Sequence, residues 1–270
     1  MIPDTALLQA VLHALRPAGE YQLSRFRKLG GGREKGLNDL VSEVDCHTEE
    51  LLRAALLKAL PGSSFWGEES GREAAAEFEW VVDPLDGTTN YLNGLDQFSI
   101  SIALLFQGRP VLGVVHRPAS GETFAARRGG GLLHNGVPLM RPSWEPPGLR
   151  QALLGTGFPY RSLDLQPAFF RCAAALMGRS RDIRRMGSAA LDLSYVAAGW
   201  LQGFWESDLQ PYDVAAALLF LEESGCRVGD GFGRPYRIGE SRLIVAARPQ
   251  VFDELLDLVA SSYRTDATGC

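Results

Sequence analysis

Residues 80–91, reading Trp-Val-Val-Asp-Pro-Leu-Asp-Gly-Thr-Thr-Asn-Tyr, constrain this chain more than any other stretch. The apolar run Trp80-Val81-Val82 suits a buried strand. Asp83 closes the run, Pro84 has no N–H for further ladder pairing, and Asp86-Gly87 signals a turn. Thr88, Thr89 and Asn90 are residue types that satisfy the orphan N–H groups at a helix start. Two carboxylates are therefore expected to leave a strand end together, beside backbone donors. Carboxylates suit a hard cation and a helix N-terminus suits an anion, so side by side they describe a metal-assisted phosphate site. A plain Asp-Gly turn with a helix cap is the competing reading, and the rest of the chain decides between them.

With 270 residues the chain can hold one large domain or two halves sharing a core. Three prolines within 142–147 mark the expected boundary, between an α+β half at 1–145 and an α/β half at 146–270. A net charge of −5 argues against a general nucleic-acid binder, yet leaves room for an anionic substrate, because bound cations invert the local field. The opening residues carry no basic segment, and residues 7–15 are too short an apolar run for a signal or a membrane span. Cys46, Cys172, Cys226 and Cys270 are scattered, which fits neither a zinc knuckle nor a disulfide framework. A reducing, cytoplasmic location is the expectation.

Asp4 or Thr5 can cap a first helix that Pro17 should kink or interrupt. Gly30-Gly31-Gly32 opens a flexible charged loop, and a second helix follows 38–45 and stops at Pro61-Gly62. Residues 63–67 read as a strand delivering Glu68 and Glu69. Residues 98–106, 110–116 and 122–126 read as an antiparallel series with short turns. Beyond the boundary, strands and helices alternate: helices at 166–177, 188–198, 211–223 and 249–261, strands at 151–155, 182–185, 201–206, 227–229 and 242–246. The helix at 211–223 is apolar on nearly every side and should be buried. Layered helices and sheets result.

Acidic residues gather at element exits: Asp45, Glu68, Glu69, Asp83, Asp86, Glu206, Asp208 and Asp213. Asp213 stands at the start of the apolar helix, where it either caps that helix or closes a metal cluster from a distance. Magnesium prefers oxygen donors, and neighbouring ions can clamp a phosphoryl oxygen and activate water. Glu68, Asp83, Asp86 and Asp213 would supply the carboxylates from three segments. Thr88, near a carboxylate such as Asp45, could orient the attacking water, although Asp45 equally suits an N-cap. No Gly-x-Ser-x-Gly elbow, Cys-x5-Arg loop or P-loop occurs, and the four His residues lack zinc spacing. The basic cluster Arg179, Arg181, Arg184 and Arg185 reads as a solvated edge, or as a dimer interface or substrate rim.

Gly67-Glu68-Glu69-Ser70, Asp83-Pro84-Leu85-Asp86-Gly87-Thr88-Thr89-Asn90 and Asp213-Val214-Ala215-Ala216 resemble the inositol monophosphatase family of magnesium-dependent, lithium-sensitive phosphatases. Residues 39–45 and Gly187-Ser188-Ala189-Ala190-Leu191-Asp192 extend the likeness along nearly the whole chain. The resemblance implies a layered αβαβα sandwich of the sugar-phosphatase type, with two sheets between helix layers. It implies two or three magnesium ions held by Glu68, Asp83, the Leu85 carbonyl, Asp86 and Asp213. Glu68, Thr88 and Asp45 would act on the attacking water. Asp86, the Gly87 and Thr88 amides, Gly187, Ser188, Ala189, Glu206 and Asp213 would face the substrate. Tyr212 stands where the family usually has Trp, and Arg33 or Lys35 falls at the family's loop lysine. The implied reaction is direct hydrolysis of a small phosphate monoester, most simply myo-inositol monophosphate, by a homodimer. Relatives on the same fold cleave histidinol phosphate, fructose 1,6-bisphosphate or 3′-phosphoadenosine phosphates, and a non-catalytic regulatory binding protein is the reading from a different class. No membrane and no nucleic-acid partner is expected.

Overall fold

The computed structural model describes residues 4–28, 33–36, 39–41, 43–140 and 146–264, with backbone alone at 33–36 and 39–41. Helix α1 (Thr5–Arg25) starts at Asp4, whose Oδ1 accepts the Leu7 N–H at 2.8 Å, and buries Leu8, Val11, Ala14, Leu15 and Ala18 along one stripe. Of the expected kink or break, the break does not occur: the helix runs on through Pro17. Pro17 lies on the exposed side, where water can satisfy the carbonyl that its missing N–H leaves over. Strands β1 (Arg33–Gly36) and β2 (Asp39–Val41) pair antiparallel where a loop was expected. The side chains of Arg33 and Lys35 lie outside the described residues, as does most of the 142–147 boundary.

Helix α2 (Glu43–Ala59) is followed by β3 (Ser64–Gly67), β4 (Gly71–Arg72), β5 (Phe78–Asp86) and the short α3 (Thr88–Leu92). The antiparallel series is β6 (Ser99–Phe106), β7 (Arg109–Arg117), β8 (Glu122–Arg127), β9 (Leu132–His134) and β10 (Val137–Pro138). These strands form one sheet in the order β10-β9-β8-β7-β6-β5-β3-β4, parallel at β5-β3 and antiparallel elsewhere. A second sheet follows from β11 (Leu153–Thr156), α4 (Gln166–Met177), β12 (Asp182–Arg184), α5 (Ala189–Ala198) and β13 (Gly203–Ser207). It is completed by α6 (Pro211–Glu223), β14 (Arg227–Asp230), β15 (Leu243–Ala247) and α7 (Pro249–Arg264), in the order β12-β11-β13-β15-β14.

Strand periodicity builds the layers, because successive side chains point to opposite faces. On β5, Trp80 and Val82 pack outward beneath α1 and α2, while Val81 packs inward against α5 and α6. On β13, Phe204 joins that same central layer, while Trp205 faces α4 and α7 on the far side. Fully buried side chains such as Leu52, Phe65 and Ile102 each contribute about 1.5–3 kcal/mol. Helices α5 and α6 touch both sheets, which is why α5 is buried at every position and α6 is apolar nearly all round. The architecture is thus a layered αβαβα sandwich, with two sheets between helix layers.

Candidate active site

The strand carrying Asp83 does not stop there. β5 pairs with β6 through Asp83 opposite Ser101 and resumes at Asp86 opposite Ser99, with an irregularity between. Pro84 and Leu85 occupy the interruption, so the missing N–H of Pro84 costs no ladder bond. The Pro84 carbonyl instead accepts Gln22 Nε2 at 2.7 Å, and the Leu85 N–H donates to Asp83 Oδ1 at 2.9 Å. This bulge places Asp83 and Asp86 together. Gly87 then turns the chain into α3 at φ 96°, and a Cβ there would stand 2.9 Å from the Gln97 carbonyl oxygen and 3.1 Å from that of Gly187. Only glycine meets both demands.

Asp213 enters from α6. Its Oδ2 accepts the Gln210 N–H at 2.7 Å in a capping box, so the capping reading holds. The same carboxylate also offers an oxygen within 4.8 Å of oxygens on Asp83 and Asp86, and among the described residues this is the grouping close enough to hold a cation. Glu68 leaves β3 with its N–H on the Val82 carbonyl at 3.2 Å, and its side chain hydrogen-bonds Asp83. It stands beside the triad rather than within it.

Electrostatics mark the same place. Burial, then repulsion from Glu68, Asp86 and Asp213, pushes the Asp83 carboxyl well above the ordinary range. Burial raises Asp86 to about 6, against the hydrogen bonds from Ser188 Oγ (2.6 Å) and the Ala190 N–H (2.8 Å). Asp213 rises to about 8, by burial and then by Asp86. Crowded, desolvated acids of this kind are the donor set a hard cation would stabilise in ionised form, and the residues therefore fit magnesium.

Thr88 Oγ1 lies 3.1 Å from both Asp45 Oδ1 and the Leu85 carbonyl oxygen. Its single proton serves one at a time, so engagement of the Leu85 carbonyl elsewhere turns the hydroxyl toward Asp45. Asp45, in the first turn of α2, is buried.

The cleft is about 430 Å³, within the range of about 300–1,000 Å³ usual for small ligands. Its far wall is Gly187, Ser188, Ala189 and Asp192 around α5, with Glu206 at the end of β13. Burial pushes Glu206 up to about 8, with Arg185 opposing and Asp86 adding to the rise. A Cβ on Gly157 would stand 1.9 Å from Glu206 Oε1, so the carboxyl lies against bare backbone. Of the basic cluster, Arg185 lines the cleft, with its guanidinium 5.9 Å from the Phe158 ring and 5.7 Å from that of Tyr160, while Arg184 pairs with Asp182. The Tyr212 phenol is raised by burial and by Glu68, Asp213 and Asp83, which sets a hydroxyl near the acids.

The structure thus brings Glu68, Leu85, Asp86, Gly87, Thr88, Gly187, Ser188, Ala189, Glu206 and Asp213 to one cleft with Asp83, and Asp45 behind Thr88. Arg185 meets the substrate-rim alternative for its cluster, whereas sequence reasoning gave no role in the cleft to Asp192 or Asn90 and none to Glu49. Asp192 had a signal, as a lone carboxyl in an otherwise apolar helix. Asn90, whose Nδ2 donates to the carbonyls of Gln97 (2.7 Å) and Met186 (2.8 Å), had only its residue type.

The sequence profile of the inositol monophosphatase family matches residues 4–264. A Pseudomonas aeruginosa protein named Nus factor SuhB is 40% identical over 261 residues, covering 94% of this chain and 95% of that protein. An inositol-1-monophosphatase of Rhizobium meliloti is 40% identical over 243 residues, covering 87% of this chain and 90% of its own length. The crystal structure of the extragenic suppressor protein suhB from Bartonella henselae superposes with a TM-score of 0.88 at 34% identity, over 94% of this chain and 98% of that one. Among the described residues, no helix is long and apolar enough to cross a membrane.

Proposed function

Because this chain belongs to the inositol monophosphatase family, which supports phosphatase activity, we propose that it is a magnesium-dependent hydrolase of small phosphate monoesters acting on myo-inositol monophosphate. The observation that carries the reading is the triad Asp83, Asp86 and Asp213, facing Glu206 across one cleft. Glu68, Asp83, the Leu85 carbonyl, Asp86 and Asp213 would hold the magnesium ions, two or three per site. Bound magnesium supplies positive charge that offsets the phosphate and the leaving alkoxide and makes water more acidic.

The chain's own groups do the rest. Thr88 donates its proton to Asp45 and accepts one from the attacking water, passing it toward the buried carboxylate. Glu68, hydrogen-bonded to Asp83, would contact that water. The Gly87 and Thr88 amides hold phosphate oxygens, and Ser188 keeps Asp86 in place. Gly187, Ser188 and Ala189 form the wall on which the alcohol rests. Glu206 binds its hydroxyls, which penalises alcohols lacking them.

A substrate panel with magnesium tests the specificity. Inositol monophosphates should turn over faster than histidinol phosphate, fructose 1,6-bisphosphate and 3′-phosphoadenosine phosphate, with lithium inhibiting; the reverse ranking would reject inositol. The Pseudomonas relative's name, Nus factor, is not that of a phosphatase, which motivates a second reading of this chain as a regulatory binding protein. That role would not need the carboxylate cluster. We also infer a homodimer in a reducing cytoplasm. The free thiols of Cys46, Cys172 and Cys226 agree with the compartment, and sedimentation of the purified protein checks the mass.

A further inference from the structure

Glu49 is a buried carboxylate that the proposed chemistry does not use. Its Oε2 accepts the Glu69 N–H and its Oε1 the Ser70 N–H, each at 2.8 Å. Those are the two amides that follow Glu68 in the turn between β3 and β4. On the other side of Glu68, a Cβ on Gly67 would stand 2.3 Å from Glu49 Oε2, so the carboxylate is pressed against backbone on both flanks. Glu49 also lies one helical turn after Asp45 on α2, and both are buried. One face of one helix therefore reaches Thr88 with Asp45 and the turn of Glu68 with Glu49.

We propose that Glu49 is a positioning residue: its carboxylate grips the 67–70 turn so that Glu68 is held at the metal site in fixed relation to Asp45 and Thr88. This rests on the reading of Glu68 as a magnesium ligand. A carboxylate accepting two backbone N–H groups makes charge-assisted bonds, stronger than neutral ones and directional. Groups that orient a metal ligand typically change metal affinity 10–100-fold when removed. Gln at this position would set an amide N–H₂ against one backbone N–H and lose half the grip.

The test is Mg²⁺ titration by calorimetry of the substrate-free protein, alongside thermal melts, for wild type, Glu49→Gln, Glu49→Asp, Glu68→Gln and the Glu49→Gln/Glu68→Gln double variant. Glu49→Gln should weaken Mg²⁺ binding about tenfold. Glu49→Asp, which keeps the charge but loses reach, should fall between, and it carries the comparison if Glu49→Gln does not fold. The double variant should bind no more weakly than Glu68→Gln alone, since the effect of Glu49 passes through Glu68. Wild-type affinity in a folded Glu49 variant with a lowered melting temperature would reduce Glu49 to a structural role and overturn the proposal alone. Additive losses in the double variant would overturn it too. Wild-type affinity in Glu68→Gln would instead remove the metal reading of Glu68, and the positioning role with it.

Discussion

Thr88 stands where one hydroxyl can serve two acceptors, and its role depends on which it faces. Asp45 lies at 3.1 Å and is buried, and in the proposed mechanism the pair takes a proton from water. Replacing Thr88 with Val, or Asp45 with Asn, should therefore lower kcat about a hundredfold or more with little change in KM or melting temperature. Steady-state phosphate release checks this, and an effect confined to KM would contradict it. Asp83, Asp86, Thr88 and Gly87 were legible because they sit in one contiguous motif at a strand end. Asp213 was legible only as two alternatives, and the structure shows why: one oxygen caps α6 while the same carboxylate is a member of the triad. Glu49 gave no comparable sign. Its partners are backbone N–H groups, which leave no trace in residue types.

Among the elements, α4 and α6 begin and end where the sequence places them, at Gln166–Met177 and Pro211–Glu223. Proline ends neither of the elements that contain it. Pro17 was expected to disturb α1 and Pro84 to end β5, since each lacks a donor. In each case the surroundings make the loss harmless: solvent beside α1, and for β5 a bulge whose freed carbonyl is met by Gln22, far away in sequence. Short α3 also does more than cap. Through Asn90 it fastens the segment before α5, and so joins the Asp83 side of the cleft to the Ser188 side. Asn90→Ala leaves the Met186 and Gln97 carbonyls without that donor, at a cost of about 1–3 kcal/mol. Urea unfolding should show that loss, together with a raised KM for the substrate; an unchanged midpoint would contradict the account.

At the scale of the whole molecule, the acids at the centre make folding and ion binding interdependent. Asp86 at about 6 and Asp213 and Glu206 at about 8 hold protons that the unfolded chain, at its ordinary 3.8 to 4.5, has already released. Below about pH 4 both states are protonated and the groups are neutral to stability. Between about pH 4 and 8 the unfolded state binds fewer protons, so the metal-free protein loses stability as pH rises, and above about 8 the loss is complete. Melting temperatures without metal should fall from pH 5 to 8, less steeply in Glu206→Gln, and magnesium should raise them most at pH 8. A rise with pH in the metal-free protein would contradict the electrostatics. The layered architecture was readable from alternation and from the all-apolar α6. The pairing of β1 with β2 was not, because a glycine-rich charged segment carries no apolar alternation.

In the proposed function the Asp83 cluster is a working metal site for phosphate ester hydrolysis. Phosphate release from myo-inositol monophosphate, measured against Mg²⁺ concentration for wild type and Asp83→Asn side by side, tests it most directly. Release should require magnesium and fall about a hundredfold or more in the variant, whose fold is kept. Equal release by Asp83→Asn, or release by the wild type that does not depend on Mg²⁺, would contradict it.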